Sequence, residues 1–118
     1  MALIGIQKQF TPKVESGEKR QTIRAPRKYP IKPREILHIY TGLRTKACRK
    51  LLTTICKSVD DINIYETGIE FNNDGIKLVY KYCLDNFAIA DGFNDYEDML
   101  NWFKKTHELP FKGQLIKW

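Results

Sequence analysis

The hydrophobic period of this chain changes once, near Cys83, and no other feature limits its fold as much. Ahead of Cys83, short apolar runs with strand-forming residues lie between clusters of Pro, Gly, Asn and Asp; behind it, apolar residues recur at the helical interval. The runs predict strands over Leu3–Gln7, Glu35–Tyr40, Arg49–Val59, Ile62–Phe71 and Ile76–Tyr82. Asn72-Asn73-Asp74-Gly75 supplies a turn that folds the last two into a hairpin. Thr11 as an N-cap, Pro12 at the first helical position and Gly17 past the end predict a short helix over Thr11–Ser16. Asp85 caps a second helix that ends at Gly92, and Asn94 with Glu97 forms a capping box for a third. Tyr96, Met99, Leu100 and Phe103 make the apolar face of that third helix. Gly113–Trp118 returns as a last strand, and the prolines of Ala25–Pro33 leave that stretch as a loop. Short strands interspersed with short helices predict an α+β fold with a curved or barrel-like sheet.

A chain of 118 residues holds one modest core, so residues 1–118 are read as one domain. Its net charge of +6 is unevenly spread. Residues 1–57 carry 14 Lys and Arg against Glu15, Glu18 and Glu35, a net +11, while residues 58–118 carry 6 Lys against 11 acids, a net −5. A surface polarised in this way suits a polyanion. Cys48, Cys56 and Cys83 have neither CxxC spacing nor a nearby pair of histidines, which argues against a disulfide framework or a zinc site and for a reducing compartment. The apolar run in MALIGIQKQF is too short for a secretory signal, and no stretch has the length of a membrane span. The expectation is a soluble cytoplasmic protein with no membrane partner, cofactor or metal.

The chemistry concentrates in Gly17–Arg24, where Lys19, Arg20 and Arg24 bracket the hydroxyl of Thr22 just after a helix end. Arg27, Lys28 and Lys32 carry the positive charge into the proline-rich loop. Arginine offers a planar fork of donors and lysine a mobile point charge, a combination suited to phosphodiesters and nucleotides. Tyr29, between charges and prolines, offers a stacking face for an unpaired base, whereas Tyr40 at a strand end reads as packing. His38 and His107 have no partner in sequence and read as structural. Asp91 lies in the last turn of the helix ending at Gly92, against the negative end of its dipole, and a broken local rule marks it as a site candidate.

The G-x-K-x-x-T-I-R of Gly17–Arg24, the strand Ile36–Tyr40, the segment Phe87–Phe93, the apolar helix with Trp102 and the ending Pro110-Phe111-x-Gly113-x-Leu115-Ile116-x-Trp118 together resemble an ASCH domain, a group related to the PUA fold. The resemblance covers nearly the whole chain. It implies a small mixed β-barrel with flanking short helices and a cleft in which the basic motif faces the Gly92-Phe93 segment. It implies RNA or a modified nucleoside or nucleotide as partner. One branch of the family removes the acetyl group from N4-acetylcytidine and others are ribonucleases. By position, the catalytic group of the amidohydrolases falls on Lys19, Thr22 and Asp91, with aspartate standing where those enzymes have glutamate. Thr22 would attack the acyl carbon and Lys19 would take its proton, provided that burial and the neighbouring Arg20 and Arg24 lower the lysine from about 10.4 toward 7 or 8. The reading favoured is an RNA- or nucleotide-binding cleft lined by Lys19, Arg20, Thr22 and Arg24, with a hydrolase on the same cleft as the alternative. An acidic peptide in the cleft is a third reading that fits the charge.

Overall fold

The computed structural model describes residues 1–118. Strand β1 (Ala2–Ile6) leads through a 3₁₀ turn (Lys8–Phe10) into helix α1 (Thr11–Ser16) and then into strand β2 (Gln21–Arg24). Strands β3 (Ile36–Thr41), β4 (Arg49–Ile55), β5 (Ser58–Tyr65), β6 (Gly68–Phe71) and β7 (Ile76–Leu78) follow. Helices α2 (Lys81–Ala90) and α3 (Tyr96–Thr106) precede the last strand, β8 (Phe111–Lys117). The fold is α+β, as the change of period implies.

The strands form two sheets, ordered β1-β3-β4 and β2-β8-β5-β6-β7, and no continuous ladder closes them into a barrel. Strands β1 and β3 are parallel, pairing Ala2 with Leu37 and Ile6 with Thr41. The second sheet is antiparallel throughout and is organised by β8, which pairs with β2 on one side and β5 on the other. Chain passes between the sheets at Cys56, a buried corner whose N–H donates to the Glu35 carbonyl and whose carbonyl accepts from Arg34 N–H, both at 2.8 Å. The apolar residues of both sheets and of the helices join one cluster, with Ile4, Leu37, Ile39, Ile62, Ile64, Met99, Phe103, Leu115 and Ile116 almost wholly excluded from solvent.

Several sequence-based boundaries shift for identifiable reasons. The run Arg49–Val59 is two strands, because the corner at Cys56 and Lys57 turns the chain into the other sheet. The run Ile62–Phe71 is also two, folded at Glu66-Thr67 so that Tyr65 opposes Gly68; those two residues carry no Gly or Asn turn signal. Gly68 marks the place instead, since a Cβ there would lie 2.3 Å from the Leu78 carbonyl oxygen on the neighbouring strand. The Asn72–Gly75 turn forms as expected, pairing Phe71 with Ile76. Strand β7 ends at Leu78, and α2 begins four residues before Asp85, whose carboxylate pairs with Lys81 one turn back. Asp95 rather than Asn94 caps α3: its Oδ1 accepts from Asp98 N–H at 2.8 Å, and the Asp98 carboxylate accepts from Asn94 N–H at 3.0 Å.

Thr11 is inside α1 rather than capping it, because the preceding 3₁₀ turn already delivers the chain in helical conformation. Its hydroxyl is buried and has no hydrogen-bond partner. Thr11→Val keeps the shape and removes that group, and is expected to raise stability by about 1 kcal/mol in urea denaturation.

Candidate functional site

The segment Gly17–Arg24 is shaped by a helix end and a strand start. Gly17 adopts φ 85° and closes α1, its N–H bonding the Val14 carbonyl, and Lys19 N–H bonds the Lys13 carbonyl at 2.9 Å. The chain then turns into β2, a strand the sequence reading did not contain, and pairing with β8 holds Thr22 opposite Ile116. This reversal sends Lys19 inward and Arg20 outward. From the other half of the chain, α2 ends at Ala90 and is capped by Asp91, whose N–H bonds the Phe87 and Ala88 carbonyls. Gly92 follows at φ 101°.

Lys19 and Asp91 meet in the interior, with relative side-chain exposures of 3% and 6%. Lys19 Nζ donates to the Asp91 backbone carbonyl at 2.5 Å and stands 3.6 Å from Asp91 Oδ1, which also accepts from Gln21 Nε2 at 3.3 Å. The ammonium also lies 5.1 Å from the centre of the Phe10 ring. Lys13 Nζ donates to the Gly92 carbonyl at 3.0 Å. Two lysines thus satisfy the end of α2, which supplies the compensation for a carboxylate at a helix C-terminus that the sequence alone does not display.

Burial lowers the pKa of Lys19; Asp91 opposes the shift, while Arg24 and Lys13 add to it. Burial raises Asp91 from 3.8 to about 6, against the opposing influence of Lys19 and Gln21. Burial therefore biases both partners toward their uncharged forms, while their mutual attraction opposes that bias. Arg24, not the exposed Arg20, is the arginine that acts on Lys19. Arg20 instead donates from Nε to the Gly17 carbonyl at 3.1 Å, outside the cleft.

The buried pair sits in a narrow cleft of about 70 Å³, whose wall includes Gly5, Phe10, Thr22, Arg24 and Trp102. At about 30 Å³ of liquid per water molecule, that space admits a small polar group rather than a whole nucleotide. Thr22 belongs to this wall, but the lysine ammonium bonds Asp91 rather than the Thr22 hydroxyl. Gly5 and Arg24 also line a wide groove of about 890 Å³ that includes Arg27, Lys28, Tyr29, Leu43 and Arg44. Here Arg24 Nη1 donates to the Gly5 carbonyl at 3.0 Å and Arg27 Nη2 to the Leu3 carbonyl at 2.9 Å, so both arginines cover the open edge of β1. Arginine has five N–H donors, and each retains several for a ligand. Tyr29 is 79% exposed, with Lys28 Nζ 5.7 Å from its ring centre. Lys32 is exposed and lies outside the groove lining. Tyr40 is half-buried on β3, as the strand-end reading implies, and Lys50 reaches over its ring.

The structure adds Gln21, Arg44, Gly5, Phe10 and Trp102 to the residues found from sequence. Gly5 had a usable signal, since a glycine inside a strand marks close approach: a Cβ there would lie 3.1 Å from Leu43 Cδ1. Gly92 had one as well. A Cβ on Gly92 would stand 2.9 Å from Phe10 Cδ1 and 3.2 Å from Lys19 Cδ, on a backbone that side chains rarely adopt. Gly92→Ala is expected to cost about 1–3 kcal/mol in thermal or urea denaturation. No helix is long and apolar enough to cross a membrane. No protein-family model, curated protein or solved structure matches the chain.

Proposed function

We propose that this is an ASCH-type, PUA-like domain that binds single-stranded RNA or a nucleotide along the groove formed by Arg24, Arg27, Lys28, Tyr29 and Arg44. The observation that carries the reading is the junction of an open cationic groove with a small buried polar cleft, both sharing Gly5 and Arg24. The groove has room for sugar and phosphate, Tyr29 offers an exposed face for a base, and the cleft accepts a substituent. Titrating ¹⁵N-labelled protein with a single-stranded oligoribonucleotide tests this. The amides of Gly5, Arg24, Arg27, Tyr29 and Arg44 are expected to shift while those of the β6–β7 hairpin hold still; absence of shifts in the groove contradicts the reading.

The buried Lys19–Asp91 pair beside Thr22 favours a second reading, a hydrolase of N4-acetylcytidine type. Lys19 in its uncharged form takes the Thr22 proton, Thr22 Oγ1 attacks the acyl carbon, and Asp91, whose burial favours its protonated form, gives a proton to the leaving amine; water then hydrolyses the acyl-threonine, releasing acetate and restoring Thr22. This step requires Lys19 Nζ to leave the Asp91 carbonyl, which the long 3.6 Å separation from the carboxylate does not assist. Glutamate at position 91 would carry its carboxylate one methylene further. Release of acetate from N4-acetylcytidine, lost in Thr22→Ala and raised in Asp91→Glu, is the signature of this reading. The ribonuclease alternative gains nothing from the histidines: His38 lies on β3 beside Thr53, and His107 packs against Trp102, Phe103 and Phe111.

A further inference from the structure

Arg44 is absent from the basic motif, yet among the cationic side chains lining the groove it is the one on a left-handed backbone. It lies in the Gly42–Cys48 connection between β3 and β4 at φ 66°, a left-handed conformation that disfavours a branched or bulky side chain. Local hydrogen bonds hold the connection in shape. Thr45 Oγ1 donates to the Gly42 carbonyl at 2.6 Å and accepts from Ala47 N–H at 3.2 Å, while Cys48 N–H donates to the Thr45 carbonyl at 3.2 Å. Gly42 is itself at φ 65°, with the Ala47 carbonyl oxygen 2.9 Å from where a Cβ would stand. Leu43 packs onto the backbone of Gly5 and so fixes the loop against the floor shared by cleft and groove.

Arg44 thus enters the groove from the side opposite in sequence to Arg24, Arg27 and Lys28. Arg24 and Arg27 are engaged with β1 carbonyls, and Lys28 lies over Tyr29, whereas Arg44 takes part in no ion pair or side-chain hydrogen bond. One acid, Glu35, lies in the same lining, and its carboxylate is occupied by Lys32 N–H at 3.2 Å and the Met1 amine at 3.3 Å. An arginine without a side-chain partner, on a left-handed backbone and in a groove lined by other cations, has no evident benefit for the fold. It has a clear one for a phosphate, whose oxygens match the guanidinium fork and whose charge complements a groove in which Arg27 already acts unfavourably on Arg24.

We propose that Arg44 is the phosphate-reading residue of this groove, so that its ligand is a phosphorylated nucleotide or RNA strand and not a free nucleoside. The inference rests on the nucleotide-binding reading and names the group that is recognised. Calorimetric titration with uridine, uridine 5′-monophosphate and a uridine tetranucleotide tests it, using the wild-type protein and Arg44→Gly. The monophosphate is expected to bind about 10- to 100-fold tighter than the nucleoside, the range for bonds between charged groups. Glycine accepts the left-handed backbone, so Arg44→Gly is expected to melt no lower than wild type while losing most of that phosphate gain. A residue with a structural role alone would show the reverse, lower stability with binding intact. Equal affinity for nucleoside and monophosphate overturns the proposal, as does a phosphate gain that survives in Arg44→Gly, and in both cases tetranucleotide binding leaves the wider reading standing. Failure of all three ligands, or binding of an acidic peptide alone, overturns both.

Discussion

Lys19→Met is expected to destabilise the protein by about 3–5 kcal/mol at neutral pH, measured by urea denaturation. The loss does not come from a strong ion pair. With both side chains excluded from solvent and the carboxylate 3.6 Å away, desolvation offsets most of the attraction. It comes from what methionine leaves behind, a buried carboxylate with Gln21 as its sole side-chain donor and a helix-terminal carbonyl without its short bond from Nζ.

The pH dependence separates these contributions. Burial pushes Asp91 up from 3.8 to about 6, so the native state holds its proton more tightly than the unfolded state does. Its contribution is therefore most favourable below pH 3.8 and declines as pH rises through 6, by on the order of 3 kcal/mol, opposite in sign to that of an ordinary ion-paired carboxylate. Lys19 has the mirror dependence: a lowered folded pKa makes its contribution improve as pH rises toward 10.5. Removing Lys19 pushes Asp91 higher still, because the lysine is the leading influence holding it down. The penalty of Lys19→Met is thus expected to be larger at pH 8 than at pH 5, where Asp91 is protonated. Lys19→Met combined with Asp91→Asn leaves no buried charge and is expected to recover most of the lost stability. A double variant as unstable as the single one would show that packing of the lysine stem, not the stranded carboxylate, is at stake.

The same pair shows where sequence reasoning reaches and where it stops. Lys19, Thr22 and Asp91 were all legible, and the fold brings them to one cleft from segments about seventy residues apart. The spacing could not reveal that Arg20 faces solvent, because that depends on the turn between Gly17 and β2, and β2 was hidden in a stretch read as motif rather than strand. Helix α1 and the hairpin at Asn72–Gly75 were legible because glycine and proline chemistry is local. The divisions at Cys56 and Glu66 were not, since each follows from a partner strand elsewhere in the sheet. Arg44 had no motif to mark it; its place depends on Leu43 seating on Gly5, a contact across nearly forty residues.

Salt dependence of RNA binding is the measurement that meets the central claim most directly, because it counts phosphates neutralised by the groove. Four cations line it, Arg24, Arg27, Lys28 and Arg44. At about 0.7 counterions released per contact on a single strand, the plot of log affinity against log salt is expected to have a slope near −3, so affinity falls about fifty-fold between 50 and 200 mM. Arg27→Ala with Lys28→Ala is expected to flatten the slope by about 1.4 while weakening binding to all sequences alike. A slope near zero in the wild-type protein, or one unchanged in the double variant, would contradict RNA binding along this groove.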